Sequence, residues 1–182
     1  MRILLTASLL FVAVVIAEGM ILPAFFNIYG TLLGFVFLVS LLVVYGNMPT
    51  ALITGSLVAL MLELWRGFDF GSATLSFLAA AATWQVLTDS FDITPFIGRS
   101  RLYLTDTLMA IGVGYTLFAV TSAVFLVIEK YIYRIGVSWQ MLGLIFRSPA
   151  ILLAIGIGMV ICVFLLRLPG QRAMPLAGKF YI

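Results

Sequence analysis

Apolar residues run along this chain in six long blocks. The short segments between the blocks carry most of the charged residues and also contain Gly and Pro. Blocks of this length with few charges are typical of bilayer-spanning helices, each of which needs about 20 residues. We therefore predict an all-α fold, a polytopic membrane helix bundle. Its six predicted transmembrane helices lie at residues 3–17, 31–46, 50–66, 73–88, 107–129 and 149–167.

Two connections in this pattern are long. Residues 89–106 form the most polar segment and are predicted to lie outside the hydrocarbon. Residues 130–148 place Trp139, Leu142 and Phe146 on one side of an amphipathic segment. We interpret it as a membrane-surface linker, because Trp is common at interfaces, with a partner-binding helix as the alternative.

The third predicted helix carries an unusual stripe. Small residues and one carboxylate recur at intervals of four, a spacing that places residues on one helix face. Small side chains let another backbone approach closely inside a bilayer. We therefore predict a helix-packing or partner interface formed by Ala51, Gly55, Ala59, Glu63, Gly67 and Gly71.

Glu63 is the charged member of this stripe. One interpretation is an end-of-helix charge that faces Arg66 three residues later. The other is a polar contact that fixes the turn after the helix or recruits a partner. Asp69, in that turn, is predicted to cap or brace the start of the next helix.

Composition strengthens the membrane interpretation. Apolar residues make up 64% of the 182 residues and charged residues only 9%, and the mean hydropathy is +1.23. Average soluble domains carry about 25% charged residues. No linker or repeat divides the chain, so residues 1–182 are predicted to form a single transmembrane helical domain. The net charge of +3 comes from scattered residues, which argues against a nucleic-acid partner.

Candidate chemistry is sparse. The chain has no His and a single Cys, Cys162, which excludes disulfide frameworks and Cys/His metal sites. Neither a phosphate-binding glycine loop nor a nucleophile elbow is present. The acids lie near the ends of predicted helices, so nothing requires a catalytic pair. We therefore predict no catalytic, cofactor-binding or metal-binding residues, no cofactor, and no enzymatic activity.

Basic residues suggest an orientation. Arg2 before an apolar run also fits a signal peptide, but we interpret this run as a retained first helix. With six helices and a cytoplasmic N-terminus, six of the ten basic residues lie inside. We expect a multi-pass protein with both termini cytoplasmic.

The run from Gly55 through Glu63 to Gly67 and Gly71 resembles a segment of the rod-shape-determining MreD family. That family commonly has a glycine, an acidic residue eight later, then two glycines at further intervals of four. Glu63 stands where the family more often has aspartate. The resemblance implies a non-enzymatic protein of the bacterial inner membrane, working beside an MreC-like partner in the cell-wall elongation machinery.

Two alternatives stay open. MreD resembles, in fold, the substrate-binding S-components of vitamin transporters, and Trp84, Gln85, Tyr115 and Thr116 are the best candidates for a vitamin pocket here. The other alternative is an accessory subunit of another large membrane complex. In every case we expect partners that are integral membrane proteins, contact with the lipid bilayer, and no nucleic acid.

Overall fold

A computed structural model describes residues 2–21, 32–45, 48–91, 104–134 and 147–167. These residues confirm the all-α prediction, and no strand occurs within these ranges. They form six α-helices that coincide with the six predicted segments: α1 (Arg2–Ile16), α2 (Leu32–Tyr45), α3 (Met48–Arg66), α4 (Ser72–Phe91), α5 (Leu104–Val127) and α6 (Pro149–Arg167). As the sequence predicts, Pro149 begins the last helix. The segment around Trp139, Leu142 and Phe146 lies outside the described residues.

Two helices continue into a π-helical turn. Ala17–Ile21 extends α1, and Ile128–Ile132 extends α5. π-Helical turns are rare in proteins overall, but those that occur are often found at functional sites. Each of these two turns carries a buried glutamate.

Helix α2 lies at the centre of the bundle. It packs against all five other helices, and every residue from Phe35 to Tyr45 is buried. A helix that is hydrophobic all round is expected in such a position. Gly158 of α6 lies against Leu33 and Val36 of α2.

Close packing joins α5 and α6. A side chain added at Gly114 would meet Met159, and one added at Gly156 would meet Tyr115. The Tyr115 hydroxyl donates a hydrogen bond to the Leu152 carbonyl on α6.

One helical segment among the described residues, Leu108–Ile132, is long and apolar enough to cross a membrane. Three other apolar helical segments are shorter: Leu5–Met20, Leu33–Tyr45 and Ile151–Leu166.

Candidate functional site

The small-residue stripe of α3 faces the interior of the protein. Ala51 and Ala59 are buried, and a methyl group at Gly55 would overlap the ring of Phe77 on α4. Glycine at this position therefore allows α3 and α4 to pack closely, with Phe77 filling the space left by the missing side chain. The structure places this part of the stripe in a contact within the chain.

Gly67 and Gly71 do not continue the stripe as the sequence pattern implied. Helix α3 ends at Arg66, and both glycines have positive φ, +67° and +92°. The Phe68 N–H donates to the Glu63 carbonyl at 3.1 Å, the bond of a Schellman motif with Gly67 after the helix end. The left-handed conformation of Gly67 terminates the helix, so the two glycines shape the turn and cannot share the helix face.

The buried Glu63 side chain caps the next helix. One carboxylate oxygen accepts a hydrogen bond from the Gly71 N–H at 2.9 Å, and the other accepts one from the Thr74 N–H at 2.7 Å. These are N–H groups of the first turn of α4 and of the residue before it, where a helix has unsatisfied donors and a positive dipole end. Asp69, which we predicted as cap or brace, contributes its backbone carbonyl to the Ser72 N–H.

Glu18 caps the start of α2 in the same way. Its Oε1 accepts hydrogen bonds from the N–H groups of Leu33, at 2.8 Å, and Gly34, at 3.3 Å. Its Oε2 lies 3.4 Å from Nη2 of Arg66, at the end of α3. Arg66 therefore pairs with Glu18, and the interpretation that it faces Glu63 is not what the structure shows. The pair ties the ends of α1 and α3 together.

Glu129, at the end of α5, is the third buried glutamate. The Ser72 hydroxyl and the Asp69 carboxylate lie near its carboxyl group. Nearby, the Tyr133 hydroxyl donates a hydrogen bond to the Phe70 carbonyl. These contacts hold the end of α5 against the α3–α4 turn.

The three glutamates lie at one end of the bundle, which we call the glutamate end. Because the helices alternate in direction, α1, α3 and α5 all end there, and α2 and α4 begin there. An acid near the end of every second helix is visible in the sequence. The sequence does not show which backbone groups each acid would meet, since the donors to Glu18 lie 15 and 16 residues away.

The candidate vitamin-pocket residues do not share one environment. Trp84 is buried, whereas Gln85 and Thr116 are exposed. The Thr116 hydroxyl donates to the Gly112 carbonyl of its own helix, and Tyr115 is bonded to α6. The four side chains therefore do not form one buried cluster.

The arrangement at the glutamate end is suited to holding helices together. Within the described part of the chain, no group of three or more His, Cys, Asp or Glu side chains could hold a metal ion. Comparisons with known protein families, with curated proteins and with solved structures find no match to this chain.

Proposed function

We propose that this protein is a multi-pass membrane protein without enzymatic activity that acts as a scaffold or accessory subunit of a multiprotein complex. In the form that the sequence resemblance favours, it works like MreD in the cell-wall elongation machinery of the bacterial inner membrane. Its partners would be integral membrane proteins, including one that resembles MreC.

The apolar outer surface of the bundle carries this proposal. Large apolar side chains are exposed on the outward sides of all five peripheral helices, for example Leu9, Leu57, Leu78, Met109 and Ile157. A soluble protein rarely exposes so continuous an apolar surface, whereas lipid acyl chains are its natural solvent.

The charged residues support the same proposal by their positions. Every charged residue in the described ranges lies in the first or last turn of a helix, in a π-helical turn, or in a connection. The 25-residue segment Leu108–Ile132 is about 37 Å long at 1.5 Å per residue, enough to cross a hydrocarbon core of about 30 Å. The bundle therefore has an apolar belt between two polar ends.

The orientation can be tested by labelling introduced cysteines. Cys162 is buried and would first be replaced by Ser. Asp69→Cys places a thiol at the glutamate end, and Asp89→Cys places one at the opposite end. In spheroplasts, a membrane-impermeant maleimide should label the first variant and leave the second unlabelled until the membrane is opened. Labelling of both variants in sealed spheroplasts would contradict the proposed membrane topology.

The scaffold role can be tested by depletion and co-purification in the host. Loss of the protein should convert rods to spheres, and the tagged protein should co-purify with an MreC-like protein. A thermal-shift screen with vitamins in detergent tests the alternative, a vitamin-binding subunit of a transporter. A saturable shift, together with unchanged cell shape, would replace the scaffold proposal with a transporter subunit.

A further inference from the structure

Exposed aromatic side chains are concentrated at the glutamate end. Among the residues whose side chains the structure describes, five aromatic residues are exposed, and four of them lie at this end: Trp65, Phe70, Tyr131 and Tyr133. The fifth is Phe164, in the last turn of α6. The other large apolar side chains exposed in the described ranges are aliphatic or methionine. We call the four aromatic residues at the glutamate end the aromatic rim.

The aromatic rim follows the perimeter of the bundle. Trp65 lies in the last turn of α3, and Phe70 lies in the turn between α3 and α4. Tyr131 and Tyr133 lie at the end of α5, where the Tyr133 hydroxyl donates a hydrogen bond to the Phe70 carbonyl. The Trp65 ring also covers Gly19, in the π-helical turn after α1. The rim therefore extends from α1 through the α3–α4 turn to α5, along one edge of the apolar belt.

Two cations accompany the aromatic rim. The Arg66 guanidinium lies 4.3 Å from the centroid of the Trp65 ring, and the Lys130 ammonium lies 5.7 Å from the centroid of the Tyr131 ring. Trp and Tyr combine a large apolar ring with one polar atom, so they are enriched where the hydrocarbon of a bilayer meets its headgroups. Lys and Arg anchor membrane helices at the same depth. The composition of the rim therefore fits the headgroup layer.

Neither water nor the hydrocarbon centre suits this surface. In water, the Phe70 side chain would stay 73% exposed beside the other rings of the rim, and large exposed apolar patches are rare on soluble proteins. At the hydrocarbon centre, the charges of Arg66 and Lys130 would be costly. The headgroup layer provides apolar contacts on one side and polar contacts on the other, so it satisfies both the rings and the cations.

We propose that the aromatic rim binds the headgroup layer of the bilayer and thereby sets the depth at which the glutamate end lies. Lipid is the occupant because the rim continues the apolar belt and adds to it the amphipathic rings and cations of a membrane boundary. This inference rests on the membrane location in the proposed function and does not depend on the scaffold role.

Quenching of Trp65 fluorescence in lipid vesicles tests the proposal on the native side chain. Trp139→Phe removes the tryptophan outside the described residues. The difference between this variant and Trp65→Phe/Trp139→Phe isolates the emission of Trp65, since the buried Trp84 is present in both. In phosphatidylcholine vesicles, bromine near the headgroup should cause a larger loss of Trp65 emission than bromine near the chain end. A larger loss with chain-end bromine, or no loss with either lipid, would overturn the proposal. The second result would mean that water or a protein segment covers the rim.

Nitroxide labels give a second readout with a matched control. In a Cys162→Ser background, Phe70→Cys carries the label on the rim, and Leu57→Cys carries it on the exposed middle of α3. Leu57 lies about 14 Å from Arg66 along the helix axis. Oxygen should therefore relax the Leu57 label more strongly than a water-soluble nickel chelate does. The oxygen-to-nickel ratio of the Phe70 label should be lower than that of the Leu57 label and higher than that of a label at Asp89→Cys.

The outcomes of the labelling separate this proposal from the membrane location itself. A Phe70 label as deep as the Leu57 label would overturn the proposal, and so would one as accessible to nickel as the Asp89 label. Either result with a deep Leu57 label leaves the membrane location intact. If the labels at Phe70 and Leu57 both have aqueous accessibility, the membrane location is wrong, and the lipid-binding rim is wrong with it.

Discussion

Glu63 and Gly71 are joined by a hydrogen bond of 2.9 Å from the Gly71 N–H to the Glu63 carboxylate. They are eight residues apart, a spacing that would place both on one face of a continuous helix. The chain turns between them instead, so the carboxylate at the end of α3 reaches the backbone at the start of α4. Glu63 therefore takes part in both helix ends: its backbone carbonyl accepts the bond that closes α3, and its side chain caps the start of α4.

Glu63→Gln should destabilise the protein. The substitution removes the negative charge that two backbone N–H groups share, and hydrogen bonds to charged groups contribute about 1.5–3 kcal/mol each. We expect a lower thermal unfolding midpoint in detergent. Asp89→Asn, at an exposed position near the end of α4, is the control and should leave the midpoint unchanged. Equal midpoints for the two variants would show that the cap does not contribute to stability.

Gly55→Ala should weaken the contact between α3 and α4. The added methyl group would overlap the Phe77 ring, which is fully buried and cannot move freely. Overpacking of this kind costs about 1–3 kcal/mol. The measurement is the unfolding midpoint, together with the fraction of monodisperse protein in size-exclusion chromatography.

Gly112→Ala is the matched control for Gly55→Ala. A methyl group at Gly112 meets nothing within 4 Å in the described structure. Replacing a glycine inside a helix by alanine is then expected to stabilise the protein by about 0.5–1 kcal/mol. If Gly112→Ala destabilises as much as Gly55→Ala, the loss is a general effect of adding a methyl group to these helices and is not caused by the Phe77 contact.

Gly67→Ala should destabilise the turn through the backbone alone. Gly67 has φ of +67° and no atom within 4 Å of an added methyl group, so any cost comes from the left-handed conformation, about 1–2 kcal/mol for a residue with a side chain. Asn tolerates this conformation better than Ala does. The unfolding midpoint should therefore fall further for Gly67→Ala than for Gly67→Asn. The opposite order would indicate that the turn relaxes to another conformation.

The helices of this fold could be predicted from the sequence because each is a continuous apolar block with a breaker at its end. Pro149 and the polar segment after residue 88 mark helix ends by chemistry that acts locally. Even so, α4 continues to Phe91 and α3 begins at Met48. Pro49 does not prevent this start, because a helix needs no N–H donor in its first turn. The order of six helices followed from hydrophobicity alone.

The candidate site could be predicted only in part. The buried half of the stripe follows from small residues four apart, but the same spacing at Gly67 and Gly71 fits a turn equally well. Only the backbone conformation distinguishes the two. The part played by Glu18 could not be predicted, because it depends on Leu33, Gly34 and Arg66 coming together through the folding of three helices.

The Glu18–Arg66 pair gives the last prediction, a double-mutant cycle. Glu18→Gln and Arg66→Gln should each lower stability, and the double variant should lose less than the sum of the two. We expect a coupling of about 0.5–2 kcal/mol, within the range for residues in contact. The lower part of that range is favoured because the Arg66 side chain is 23% exposed and water screens its charge.

Arg66→Lys separates the geometry of this pair from its charge. Lys keeps the positive charge but lacks the planar group that reaches Glu18 and stacks 4.3 Å from the centroid of the Trp65 ring. Its stability should therefore lie between those of the wild type and Arg66→Gln. Additive single losses in the cycle would mean that Glu18 is stabilised by the backbone donors of α2 alone. The ends of α1 and α3 would then be held together by apolar contacts such as that between Gly19 and Trp65.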